Sequence, residues 1–348
     1  MGVVNAIVII GFIPPPYGGV SVHILRLISK LLQSGKKCTL ITSVKPSTIV
    51  CGVQVKYSKC WVNRYMYALL NRRRNNIYHF HTMWNDILLM LVLCLLKAKI
   101  VSTMHDNMLY AKFTMLKQWK KWLVKIAIRY GNVHYIAVSE GVKNTLVDMG
   151  VESNKVCVIP AYIKSISIAD NKDSILHNVT MCKHSILVYG WKIAINAEGL
   201  DVYGFDVAAK VMGKVCTTRD DIGMVFLVPN CLETDRYIAS RLEKLGVMHK
   251  CIVIKEPIQD MDMLYAKIQL YLRPTITDGD SVMLRECLEY GIPVIASNLV
   301  KRPEGTIAVE HCVDSYVNAI LSALDSGNKA IPQRDHYQLI EKCYEKMQ

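Results

Sequence analysis

Short apolar runs that end in a turn and give way to a helical pattern recur along this chain, and no other feature limits its fold as strongly. The clearest case covers residues 268–297. Ile268 to Leu272 is an apolar run, Asp278-Gly279-Asp280-Ser281 a turn, Val282 to Tyr290 a helical pattern stopped by Gly291, and Pro293 to Ala296 the start of another strand. Strand, turn, helix, strand predicts a βαβ unit. Val3 to Ile10 followed by Val20 to Gln33 repeats the pattern, with Val20, Ile24, Leu27, Ile28 and Leu31 on one helical face and Gly35 past its end. So do Tyr135 to Val138 with Glu140 to Met149, Ser139 standing as the cap, and Ser185 to Tyr189 with Tyr203 to Met212. Such alternation predicts an α/β chain of parallel sheets with helices on both faces. At 348 residues there is material for two such domains.

Composition narrows the class. A chain that is 51% hydrophobic and 20% charged is globular rather than disordered. The longest apolar run, Ile87 to Leu96, is too short to span a bilayer, and the run before Pro14-Pro15-Pro16 lacks the features of a secretory signal. Twelve cysteines without a C-x-x-C pair fit reduced thiols in a cytoplasmic protein, so neither a disulfide framework nor a metal site is expected. Charge is uneven: residues 1–162 hold 21 Lys and Arg against five Asp and Glu, and the remainder 21 against 24. The basic half calls for an anionic partner: a membrane surface, a phosphorylated lipid or nucleic acid.

Three stretches carry candidate chemistry. The helix predicted from Val282 begins just past a strand, so the amides near Ser281 and Val282 suit a phosphate. Asp278 and Glu286 flank that helix start about 12 Å apart along the axis, although Asp278 and Asp280 also suit ordinary turn and cap positions. Gly18 and Gly19, before the first long helix, let backbone approach a ligand. Finally, Lys112 to Tyr130 reads as one amphipathic helix, with Met115, Leu116, Trp119, Trp122, Leu123, Ile126 and Ala127 on one side and Lys117, Lys120, Lys121, Lys125 and Arg129 on the other. It suits a membrane interface or simple packing on a sheet.

The acidic pair Asp278 and Glu286, the Pro-rich Gly18-Gly19 loop, the strand ending at His105 and the run Ile136 to Lys143 followed by Val156 to Pro160 together resemble glycosyltransferase family 4. The resemblance covers nearly the whole chain. It implies the GT-B fold: two Rossmann-like, doubly wound parallel-sheet domains and a C-terminal helix crossing back. On that basis residues 1–162 form an acceptor-binding domain, 163–184 a linker, 185–330 a nucleotide-sugar domain and 331–348 the returning helix. It further implies that Glu286 holds the ribose hydroxyls, that Asp278 faces the donor sugar, that His105 stands beside that sugar, and that Gly279, Asp280, Ser281 and Val282 hold the diphosphate. Read by itself, His105, like His79 and His81, also suits a satisfied core or loop histidine.

In one place the sequence departs from the family pattern. Where the family places an Arg after the glycine of the second domain's first strand and a Lys further on, Trp191 and Tyr203 stand here. Lys192, Arg273 and Arg302 are then the candidates for the donor phosphates. The expected activity is transfer of a hexose or N-acetylhexosamine from a UDP- or GDP-linked donor to a saccharide or polyprenyl-diphosphate-linked acceptor. Retention of configuration, a role in cell-surface polysaccharide biosynthesis, and no metal or cofactor are expected with it. Trp119, Lys120, Lys121, Trp122 and Lys125 would face a membrane or acceptor, so the enzyme would sit in the cytoplasm or at the inner membrane face. Rival readings are a non-catalytic nucleotide-sugar-binding or membrane-docked assembly protein, a nucleic-acid binder, and an epimerase.

Overall fold

A computed structural model describes residues 6–46, 51–70, 76–81, 85–106, 109–164, 182–229, 235–258, 261–326 and 331–347. The beginning of the first expected strand and most of the expected linker lie outside the described residues. The chain forms two compact units, one of residues 1–166, 279–282 and 334–348, the other of residues 167–278 and 283–333.

In the first unit β1 (Ile7–Ile10), α1 (Gly19–Gln33), β2 (Cys38–Thr42), β3 (Gln54–Tyr57), α2 (Trp61–Leu70), β4 (Ile77–Phe80), α3 (Ile87–Leu95), β5 (Lys99–Met104), α4 (Leu109–Met115), α5 (Gln118–Tyr130), β6 (Val133–Ala137), α6 (Glu140–Asp148) and β7 (Val156–Val158) follow in order. The seven strands run parallel in the order β3-β2-β1-β4-β5-β6-β7. Strands covered on both faces bury nearly every residue, as Ile7, Val8, Ile9 and Ile10 of β1 do. The expected face of α1 is realised in Ile24, Leu27, Ile28 and Leu31. Its end falls at Gly35, whose φ of +69° needs no Cβ and lets the Lys36 amide reach the Leu31 carbonyl. Ser139 caps α6 by accepting from the Val142 amide.

The second unit contains β8 (His184–Tyr189), α7 (Phe205–Val215), β9 (Ile222–Leu227), α8 (Ser240–Lys244), β10 (Cys251–Ile254), α9 (Met261–Tyr265), β11 (Leu270–Arg273), all but the first residue of α10 (Val282–Glu289), β12 (Val294–Ser297), β13 (Ile307–Val309) and α11 (Val313–Ser326). Its six parallel strands are ordered β10-β9-β8-β11-β12-β13. Strand order therefore reverses between β8 and β11, and it does so between β1 and β4 in the first unit. In open sheets of this kind ligands bind beyond the carboxyl ends of the strands at that reversal. The last helix, α12 (Tyr337–Glu345), belongs to the first unit, where Tyr337, Ile340 and Tyr344 join the core formed by Ile7, Ile9, Ile24 and Leu27.

One expectation changes. Residues 112–130 are not one helix: α4 ends at Met115 and α5 starts at Gln118, with Lys117 in an extended conformation at ψ 147°. The break lets α5 bury its own set Val124, Ala127 and Ile128, so Met115, Trp119 and Trp122 face outward, at 82%, 50% and 64% exposure. β13 and α11 follow β12. Among the described residues no helix is long and apolar enough to cross a membrane.

Candidate active site

β11 delivers Arg273 as its last residue, and the turn after it delivers Asp278. A strand that is hydrophobic throughout buries its final residue too, so Arg273 and its partners form an ionic cluster almost closed to water. Arg273 Nε donates to Asp278 Oδ2 at 2.9 Å and Arg302 Nη1 donates to the same oxygen at 3.0 Å. The side chains of Arg273, Arg302 and Asp278 are 6%, 4% and 11% exposed. Arg273 also donates to the Tyr189 carbonyl and the Tyr271 hydroxyl; Arg302 donates to the Ser297 carbonyl, Ser297 Oγ and Thr275 Oγ1. Burial by itself would raise the Asp278 carboxyl, but the two guanidinia hold it below its usual range. Burial pushes both guanidinia down, and Asp278 more than offsets this for Arg273 but not for Arg302. Both remain charged, so the cluster carries one net positive charge.

Glu286 is buried on α10, and the Tyr265 hydroxyl donates to its Oε2 at 2.5 Å. That bond fixes the carboxylate, a role for Tyr265 with no signal in the sequence. Tyr203 and Phe205 close over Gly190, just past β8: a Cβ there would meet Phe205 Cζ at 2.5 Å and Tyr203 Cγ at 2.7 Å. The Arg273 guanidinium lies 5.9 Å from the centre of the Tyr203 ring. A guanidinium from β11 thus reaches the place from which Trp191 and Tyr203 withhold positive charge. Lys192 is exposed beside the Trp191 ring, 5.6 Å from its centre.

In the first unit Gly18 precedes α1, its amide donating to Ser21 Oγ at 3.0 Å, and a Cβ on Gly19 would meet nothing within 4 Å. Open space at a helix N-terminus is what a phosphate requires. Residues 279–282, which count with this unit, run against it. Gly279 packs on the His105 carbonyl so closely that a Cβ would collide with it, Val282 joins the core, and Asp280 Oδ2 accepts from the Ala161 amide at 2.9 Å. His105 is not solitary: its Nε2 lies 3.0 Å from His81 Nδ1. His81 and His79 share one face of β4, two residues apart as strand geometry dictates, and His23 on α1 covers them, with its ring centre 5.4 Å from that of His81. His23 escaped the sequence reading because a lone histidine on an apolar helical face gives no signal. Among the membrane or acceptor candidates, Trp119, Trp122 and Lys125 are exposed, while Lys120 and Lys121 are half-buried.

Residues 17–163 match the family model described as Glycosyltransferase Family 4. No curated protein matches the sequence closely. Among solved structures, HepE from Anabaena in complex with UDP-glucose is similar at a TM-score of 0.70 and 13% identity, covering 98% of each chain. WaaG, a glycosyltransferase involved in lipopolysaccharide biosynthesis, is similar at a TM-score of 0.69 and 13% identity over 98% of this chain and 99% of its own. Sucrose-phosphate synthase from Thermosynechococcus elongatus has a TM-score of 0.69 at 12% identity, over 99% and 94%. Two parallel sheets with this strand order and these structural likenesses give the chain the GT-B-type fold, and its residues 17–163 match the model of glycosyltransferase family 4.

Proposed function

We propose that the protein transfers a sugar from a nucleotide-diphosphate donor to a saccharide or lipid-linked saccharide acceptor, with retention at the anomeric carbon. The observation that carries this reading is the Arg273, Asp278 and Arg302 cluster beyond β11, at the reversal of strand order where such sheets take their ligands. The donor's two phosphates need positive charge and N–H donors, and the start of α10 with Arg273 and Arg302 supplies both without a metal on the diphosphate. Glu286, held by Tyr265, takes the ribose hydroxyls. Asp278 acts through the two guanidinia it orients. As the acceptor oxygen bonds to the anomeric carbon, the bond to the diphosphate breaks and the acceptor's proton leaves with the departing phosphate. HepE in complex with UDP-glucose favours a UDP-linked donor, and WaaG's involvement in lipopolysaccharide biosynthesis favours a cell-surface acceptor.

The outward tryptophans and basic residues of α5 fit binding to anionic lipid at the inner membrane face, each basic residue contributing about 1 kcal/mol near such a surface. A second, non-catalytic reading is favoured by Trp191 and Tyr203 together with the engagement of both guanidinia by Asp278. Release of nucleoside diphosphate on mixing donor with acceptor decides between the two. A panel of UDP- and GDP-linked sugars tests donor binding through thermal stabilisation: a ligand at 100 times its Kd adds about 2.7 kcal/mol. If no member of the panel raises the melting temperature, donor binding is refuted.

A further inference from the structure

Four histidines of the first unit, His23, His79, His81 and His105, differ in how their ring nitrogens are used. His79 is complete, with Nδ1 2.6 Å from the Tyr344 hydroxyl and Nε2 2.7 Å from Thr103 Oγ1. His23 and His81 are not. Each has its Nε2 buried with no hydrogen-bond partner, although His23 is 1% and His81 7% exposed. A buried nitrogen left so costs about 1–3 kcal/mol, and native structures seldom retain such groups without a ligand or a water.

The partner of His23 Nδ1 fixes what its Nε2 can do. Nδ1 lies 2.6 Å from the Ala161 carbonyl oxygen, which accepts only, so Nδ1 carries the proton and Nε2 presents a bare lone pair. The amide of the same residue, in the preceding peptide unit, donates to Asp280 Oδ2 at 2.9 Å. A backbone carbonyl on the other ring nitrogen is the support that orients histidines on transition metals. One nitrogen each from His23, His81 and His105 lies within 4.8 Å of the others. A tetrahedral zinc ion with bonds of about 2.0–2.1 Å holds its nitrogens about 3.4 Å apart, so the widest pair closes by on the order of 1.5 Å. The soft χ2 of the imidazoles accommodates part of that closure.

From this geometry we infer that His23, His81 and His105 form a binding site for a divalent transition metal of the Zn2+ class, with a fourth position left for water or another oxygen ligand. Three neutral imidazoles select Zn2+, Co2+, Ni2+ or Cu2+ over Mg2+ and Ca2+, which prefer oxygen. His79 is a neighbour and not a ligand: its ring packs on that of His81, centres 4.1 Å apart, while both its nitrogens are occupied. The ion belongs to the first unit and bridges α1, the end of β4 and the end of β5, three places no short motif connects.

The full-length protein, stripped with a chelator and desalted, is titrated with Zn2+ alone and, separately, with Co2+ alone. About one ion per chain is expected to bind, with Co2+ giving the visible d–d bands of a tetrahedral site and no thiolate charge-transfer band. His23→Gln combined with His81→Gln weakens binding by more than about 100-fold, whereas His79→Gln retains it. The wild-type cobalt spectrum needs no variant, so the test survives a misfolded one. Absence of stoichiometric binding, or a thiolate band pointing to Cys157 and Cys343, whose sulfurs are 3.3 Å apart, overturns the inference. Neither readout uses transferase activity, so its failure and a failure of the donor reading remain separable.

Discussion

Replacing Asp278 by Asn removes the carboxylate that Arg273 and Arg302 share, at contact distances of 2.9 and 3.0 Å and exposures of 6% and 4% for the two arginines. Breaking a buried pair by removing one member costs about 3–5 kcal/mol, because the remaining charge stays out of water. Here Arg302 keeps bonds to Thr275 and Ser297, Arg273 keeps Tyr189 and Tyr271, and Asn still offers one acceptor. The loss should therefore lie near about 3 kcal/mol. For the second unit, about 160 residues long, that lowers the melting temperature by about 6–12 °C. Urea unfolding followed by circular dichroism measures it, with the second unit's transition moving and the first unit's unchanged. Adding Arg302→Met should restore part of the stability, since one unmatched charge goes with it. A variant as stable as the parent that has nevertheless lost transfer would refute the reasoning, because Asp278 would then act on the sugar directly and not through the guanidinia.

Further outcomes follow from the same geometry. Glu286→Gln keeps the size of the side chain and its contact with Tyr265, so transfer should fall about 100-fold in kcat/KM while stability changes by less than about 1 kcal/mol, read from steady-state kinetics beside a melt. Charge reversal at Lys120, Lys121 and Lys125 should cut co-sedimentation with anionic vesicles by more than about 100-fold and leave neutral vesicles unaffected; unchanged binding removes the membrane role from α5. Gly204 holds φ +71° with Pro274 packed on its Cα, so Gly204→Ala should destabilise the second unit by more than about 1 kcal/mol in urea unfolding. The Asp278 carboxyl is held below its ordinary 3.8. Its stabilisation is present above that value and lost as pH falls through the folded-state pKa, so the second unit's urea midpoint should decline below about pH 4 in the parent and less in the Asn variant.

The sequence carried the architecture well and the side-chain partnerships poorly. Periodicity located β1 with α1 and β6 with α6, because an apolar run and a face of Ile24, Leu27, Ile28 and Leu31 are local facts. The division of residues 112–130 was not legible: Leu116 and Lys117 are ordinary helix formers, and only the packing of Val124, Ala127 and Ile128 selects the rotation that turns Trp119 and Trp122 outward. The sequence nominates candidate site residues where a turn or helix start marks them, as at Gly18, Gly19 and residues 278–282. It does not pair them with their partners, because Asp278 meets Arg302 across 24 positions and Glu286 meets Tyr265 across 21. The histidine cluster is the extreme case, since β4, β5 and α1 bring its members together only after the sheet has formed.

Hydrogen exchange in the presence of saturating UDP tests the central claim most directly. The account predicts slowed exchange at the amides of residues 281–284, where α10 begins, with no change along α5. Unaltered exchange at the start of α10 with UDP demonstrably bound would contradict it, because the nucleotide would then be held elsewhere.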